Sequence, residues 1–430
     1  MNHLLGYQCA ICGKEYGPHE VEYVCPKHGD EGVLDAVYDY KSIARKIDPG
    51  KLADRQTSST LNLFRYKPLL PIDSESEDLP LQIGWTPLFR ARRLEGMLGI
   101  REVWIKDDGR NPTASFKDRA SAITVMKARE LKRNLITTAS SGNAGAALAG
   151  MAASIKMPAV IFVPQSAPQA KVAQLLIYGS TVFLVKGNYD TVFDLCLQAS
   201  KEFGWYCRNT AYNPITIEGK KTAAFEICEQ LALSQNPKSP ISNWLAPDRI
   251  FVSVGDGNII AGLHKGLRDL AALNWINEMP KLIGVQAEGA AAVYNAWQAG
   301  QIEITPVTGR TIADSINVDR PRDGRRAVRA IRETDGEAIT ASDDEILEAI
   351  RTLAREAAVF AEPAAGAALA GLLKAAKAGR VGQDERVVVV VTGNGLKDVP
   401  SAIKAAGQAH VIEPDLNAVK TAIGQVQSKI

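Results

Sequence analysis

Short apolar runs with no polar alternation recur along this chain, and helical stretches separate them. "EVWIKDD", "NLITTAS", "AVIFVP", "TVFLVK", "WYCRN", "RIFVSV", "KLIGVQAE" and "RVVVVV" read as strands. A helix after Ser115, capped by that serine, follows the first of them. "GNAGAALAGMAASI", "PQAKVAQLLIYG", "YDTVFDLCLQASKEF" and "IIAGLHKGLRDLAAL" read as further helices. A strand that is apolar on both faces needs cover on both sides, and crossover helices between parallel neighbours provide it. The fold class is therefore α/β with doubly wound parallel sheets. Open sheets of this kind bind ligands just past the carboxyl ends of their strands. The turns at those ends carry the functional argument.

Three turns stand out. "SSGNAG" has Gly142 for a tight turn and Asn143 as an amide that either caps the next helix or projects over the sheet edge. "SVGDGNII" places Gly255, Asp256, Gly257 and Asn258 between a strand and a helix, where backbone N–H groups converge on a phosphate. It matches neither a dinucleotide fingerprint nor a nucleotide P-loop. "VTGNGLKD" presents the neutral hydroxyl of Thr392 at the end of the most apolar strand.

A fourth segment, "NPTASFKDRA", puts Lys117 in the first turn of a helix. A cation is poorly placed there, because the helix dipole is positive at that end. A solvated lysine paired with Asp118 is one reading. The other is a desolvated amine of lowered pKa that condenses with a carbonyl. An amine nucleophile, a phosphate cradle, an amide and a hydroxyl together suit a small phosphorylated aldehyde on a heteroaromatic ring. Pyridoxal 5'-phosphate fits that set, and a dinucleotide does not.

"NPTASFKDRA", "SSGNAG", "NPITIEGKKTAAFEI", "VGDGNI", "EPAAGAALAGL" and "TGNGLKD" follow one another as in threonine synthases. The chain resembles that family of tryptophan-synthase-like, fold-type II pyridoxal phosphate enzymes from about Gly84 to Ser401. The resemblance implies that Lys117 is the Schiff-base lysine and proton carrier. It puts Asn143 beside the pyridine 3-hydroxyl, residues Gly255 to Asn258 around the phosphate, and Thr392 at the pyridine nitrogen. It implies conversion of O-phosphohomoserine and water to threonine and phosphate. Ser140 and Ser141 are expected on the amino-acid substrate. Two positions depart from the family pattern: Ala144 and Thr216 stand where a threonine and an arginine often bind the substrate phosphate. Lys221 is the expected substitute, with Lys220, Arg320 and Arg322 as other cations within reach. Two alternatives stay open. One is a related lyase or β-replacement enzyme of the serine/threonine dehydratase or cysteate synthase type. The other is a non-catalytic ligand-binding relative.

The expected division is a knuckle at 1–40, an arm or linker at 41–83, a large cofactor domain from 84–127 and 218–410, a small α/β domain at 128–217 and a tail at 411–430, with the cofactor between the two sheets. Cys9-x2-Cys12 and Cys25-x2-His28 lie twelve residues apart and suit one tetrahedral zinc or a knuckle that has lost it. Cys196, Cys207 and Cys228 lack such spacing and read as buried apolar residues. A net charge of +2 gives no electrostatic case for nucleic acid or a membrane surface. The uncharged stretch from Asn134 to Ile155 carries Ser140 to Asn143 at its middle, which argues against a span. The expected location is cytoplasmic, and a homodimer stays open.

Overall fold

The computed structural model describes residues 3–53, 61–235, 243–407 and 409–427. Its strands are β1 (Leu4–Cys9), β2 (Glu15–Tyr16), β3 (Leu34–Tyr38), β4 (Leu88–Arg90), β5 (Glu102–Asp107), β6 (Ile136–Ala139), β7 (Ala159–Pro164), β8 (Thr181–Val185), β9 (Tyr206–Cys207), β10 (Arg249–Ser253), β11 (Lys281–Ala287), β12 (Glu337–Ala341) and β13 (Arg386–Val391). A six-stranded sheet has the order β12-β11-β10-β13-β5-β4, parallel except for the edge strand β4. A parallel four-stranded sheet has the order β8-β7-β6-β9. The N-terminal segment forms a small antiparallel sheet, β2-β1-β3.

The valines of β13 show why the α/β reading holds. Val387, Val389 and Val391 enter one apolar cluster with Leu369 and Leu372 of the helix Pro363–Lys377. Val388 and Val390 enter the opposite cluster with Leu231 and Leu263. Both faces are covered by helices, so both parities are apolar. The strands β4 and β12 escaped the sequence reading. β4 is a three-residue edge piece inside "GWTPLFR", and β12 alternates in burial at its ends rather than forming an apolar run.

The stretch expected as part of a linker is packed instead. Leu63, Phe64, Leu70, Ile72, Leu79 and Ile83 are buried against Ile123, Met126, Leu148 and Met151. Asp73, Glu75 and Glu77 face outward and hid the apolar positions around them, whereas Arg65 is buried and ion-paired with Glu229 at 2.6 Å. The helix Lys117–Glu130 contributes to the same cluster and also packs on the helix Ile215–Gln235. It thus sits where the two sheets meet. The N-terminal sheet shares the large core, because Tyr7, Leu34 and Tyr38 join the cluster of Ile227 and Leu231.

Candidate active site

The motif around Lys117 sends three consecutive side chains to three places. Asp118 turns back and accepts the Thr113 N–H at 2.7 Å, and the Thr113 hydroxyl as well. Arg119 is buried and donates to Asp108 at 2.6 Å and to Glu226. Breaking such a buried pair costs about 3–5 kcal/mol, so this bolt fixes the start of the helix. Lys117 is left facing a cleft of about 510 Å³ between the sheets. Ser115 does not cap the helix as expected; Phe116 occupies the cap position and the Ser115 hydroxyl is buried without a partner. The solvated-lysine reading fails on burial. Desolvation lowers the Lys117 pKa, and the Arg208 guanidinium pushes the same way against Glu362 and Asp256.

The turn Gly255–Asn258 lies on the cleft wall at the start of the helix Asn258–Ala272. No side chain caps that helix, so its leading N–H groups face the cleft side free of a cap. Gly257 has φ +91°, and a Cβ there would come within 2.6 Å of the Asp323 carbonyl oxygen. Only glycine suits the position. Asn258 donates to Asp323 at 2.6 Å and accepts from the Lys220 amine.

Asn143 opens its helix without capping it. Its Nδ2 donates to Glu362 at 2.8 and 3.1 Å, which leaves Oδ1 available. Burial raises the Glu362 pKa, with the Lys117 charge acting in the other direction. Ser140 and Ser141 line the cleft. Thr392 is buried at the end of β13, and its hydroxyl lies 3.5 Å from that of Ser253. Ser253 lines the cleft and Thr392 does not.

The expectation for Lys221 needs correction. Its amine is ion-paired with Glu218 and, at 2.7 Å, with Asp269, away from the cleft. It also lies 4.1 Å from the Tyr38 ring centroid. Lys220 lines the cleft in its place. Arg320 is on the wall but paired with Glu31, and Arg322 is paired with Asp190. Sequence reasoning missed Glu362, Ser253, Asp323 and Arg208. Glu362 lies inside a motif already noticed, "EPAAG", next to the antiparallel bridge that joins Ala361 to Asn394 of "TGNG". Arg208 is fully buried, donates to Ser121 and Thr210, and keeps one nitrogen without a partner. Burial lowers its pKa to about 10. Among the described residues, Lys117, Lys220 and Arg208 form no ion pair.

The donor set fits pyridoxal phosphate on these observations: a buried amine without a carboxylate in contact, an uncapped helix start behind a glycine turn, and fixed neutral groups near both. Away from this cleft, the ligand atoms of Cys9, Cys12, Cys25 and His28 lie within 4.8 Å of one another. His28 Nε2 is buried without a hydrogen-bond partner. The Tyr16 hydroxyl is 2.9 Å from the Cys25 sulfur. Cys196, Cys207 and Cys228 are buried and unpaired.

Residues 79–393 match the model of the family described as pyridoxal-phosphate dependent enzyme. The chain is 38% identical to the threonine synthase of Methanocaldococcus jannaschii over 415 residues, covering 96% of this chain and 98% of that one. It is 38% identical to the threonine synthase of Methanosarcina acetivorans over 418 residues, or 97% and 98% of the two chains. Among solved structures, the processed threonine deaminase isoform 2 of Solanum lycopersicum superposes with a TM-score of 0.61 at 23% identity, over 75% of this chain and 83% of that one. That likeness reports the fold. By its family match and its near full-length relatives, the chain belongs to the pyridoxal-phosphate dependent enzymes and, among them, to the threonine synthase family.

Proposed function

We propose that this chain converts O-phosphohomoserine and water into threonine and inorganic phosphate. The observation that carries the reading is the pair of buried cations without acid partners: Lys220 on the cleft wall, which donates to Asn258 at the uncapped helix start, and Arg208, which donates to Thr210 of that wall. One phosphorylated ligand needs one such provision. A site prepared for a phosphorylated cofactor and a phosphorylated substrate needs more, and a dehydratase of simple hydroxy amino acids does not.

Pyridoxal phosphate, when bound, supplies an electron sink for the α carbon of the amino acid. Lys117 would hold it, with its phosphate on the backbone of Gly255, Asp256, Gly257 and Asn258. Lys117 is buried with a lowered pKa, so its amine serves as a base that takes a proton from the substrate and returns it. Asn143 is held by Glu362 and would offer Oδ1 to the ring. Thr392, whose hydroxyl lies 3.5 Å from that of Ser253 on the cleft wall, would supply a neutral hydroxyl toward the ring nitrogen, where a carboxylate would favour protonation. Ser140 and Ser141 would orient the substrate. In the overall reaction the γ carbon exchanges its phosphate for a hydrogen, the β carbon exchanges a hydrogen for the hydroxyl of water, and the other proton of water leaves with the phosphate. Phosphate release from O-phosphohomoserine, compared with O-phosphoserine, tests the reading. Deamination of serine or threonine without phosphate release from O-phosphohomoserine would replace it with the lyase alternative.

The same proposal gives Cys9, Cys12, Cys25 and His28 one zinc. Four protein ligands leave no open position, so the ion is structural. Purified protein should carry about one zinc per chain on that ligand count, and a metal-free protein with titratable thiols would refute it. A cytoplasmic location accords with six free cysteines. No helix among the described residues is long and apolar enough to cross a membrane.

A further inference from the structure

The phosphate turn rests on the N-terminal sheet through Arg326, and Arg329 of the same helix donates to the same Asp35 carboxylate at 2.6 Å. Arg326, on the helix Gly324–Glu333, is 2% exposed. Its Nε and Nη2 donate to Asp323, the latter at 2.9 Å. Its Nη1 donates to the Asp35 carboxylate at 2.8 Å and to the Leu34 carbonyl at 3.0 Å. Both acceptors lie on β3. Asp323 in turn meets the turn at three points. It accepts from the Asn258 amide at 2.6 Å, its N–H donates to the Asp256 carbonyl at 2.8 Å, and its own carbonyl closes on Gly257. On the other side, β3 pairs with β1 in a register that sets Cys9 opposite Leu34 and Gln8 opposite Asp35. The metal-ligand cluster and the phosphate turn are thus two ends of one buried chain: Cys9, Leu34 and Asp35, Arg326, Asp323, Asn258.

This arrangement asks for more than core packing. Asp323 alone neutralises Arg326, and apolar contacts already hold the N-terminal sheet to the large core. The second acid and the carbonyl fix the direction of the guanidinium, because its planar fork must satisfy both sides at once. Moving β3 would pull on Arg326 and, through its two bonds to Asp323, shift the carboxylate that holds Asn258. Loss of an ion from the Cys9, Cys12, Cys25 and His28 cluster would let β3 move, since Cys9 is its neighbour on the ladder.

We propose that Arg326 is a positioning residue that couples metal occupancy of the Cys9, Cys12, Cys25 and His28 cluster to retention of the cofactor phosphate at Gly255–Asn258. The inference rests on the cofactor and zinc assignments above, but not on the identity of the amino-acid substrate. The reading is the dissociation constant of pyridoxal phosphate for the full-length apoenzyme, together with the 31P chemical shift of bound cofactor. Both are measured before and after chelation, in the wild-type protein, Asp35→Asn, Arg326→Lys and Arg326→Met. Chelating the wild-type protein should weaken cofactor binding by about tenfold, the loss of one charged hydrogen bond, and shift the 31P resonance while the far-UV circular dichroism holds. Asp35→Asn should do the same with metal present. Arg326→Lys, which keeps the charge, should recover part of the affinity that Arg326→Met loses. Chelation should add nothing further in Arg326→Met; if that variant does not fold, Asp35→Asn serves in the same comparison. Unchanged affinity and 31P shift on chelating a folded wild-type protein would overturn the coupling. So would an equal effect of chelation in the wild-type and variant proteins, or a cofactor-binding wild type that purifies without metal. Failure to release phosphate from O-phosphohomoserine alongside the expected affinity pattern would overturn the substrate reading alone.

Discussion

Lys220 and Lys221 are neighbours in sequence and serve different faces of their helix. Lys220 reaches the cleft and the Asn258 side chain, whereas Lys221 is ion-paired with Glu218 and Asp269 beneath the Tyr38 ring. One residue rotates a helix by about 100°, which is enough to separate a ligand contact from a structural one. Lys220→Ala should therefore weaken cofactor binding by about ten- to a hundredfold, the value of a charged contact, with little change in unfolding midpoint. Lys221→Ala should leave the buried Glu218 without a cation and Asp269 with Lys265 alone, and lower stability by about 3–5 kcal/mol. Spectral titration with cofactor and urea unfolding separate the two. The reverse pattern would exchange the two assignments.

Borohydride reduction of the cofactor-loaded protein should fix the cofactor on Lys117. Peptide mapping reads the site directly. A label on Lys220 instead would move the nucleophile to the other buried amine on the cleft, and Lys117→Ala should abolish the label.

The acidity of Lys117 should follow Glu362. Burial and Arg208 lower the amine's pKa, and the Glu362 carboxylate opposes them. A lowered pKa leaves the amine neutral at lower pH, so cofactor uptake by the apoenzyme should reach its plateau below the ordinary lysine range. Glu362→Gln keeps an acceptor for Asn143 and removes the opposing charge. The uptake profile should then shift to still lower pH. A shift to higher pH would show that Glu362 does not act on Lys117 as a charge.

Gly257→Ala should damage the phosphate turn without damaging the core. The φ of +91° and the 2.6 Å approach to the Asp323 carbonyl leave no room for a methyl group. A strained backbone of this kind costs about 1–3 kcal/mol. Cofactor affinity should fall by about tenfold or more on that energy, as read by the same titration. Wild-type affinity would mean that the turn does not hold the phosphate.

The local periods and turns of the sequence determined the fold class, because apolar parity and crossover helices act over a few residues. They also marked Lys117, Asn143, the turn from Gly255 to Asn258 and Thr392 as strand-end groups, since a parallel sheet gathers such ends on one edge. Cysteine spacing pointed to the N-terminal cluster for the same local reason. Tertiary structure alone decided which of two adjacent lysines meets the cleft, because that depends on helix phase against a distant surface. It brought Glu362 to Asn143 across 219 residues and Asp35 to Arg326 across 291. It set Ser253, rather than Thr392, on the cleft wall. Pairings of that span leave no periodic trace, since they are made when separate elements close on one another and buried charges must find partners.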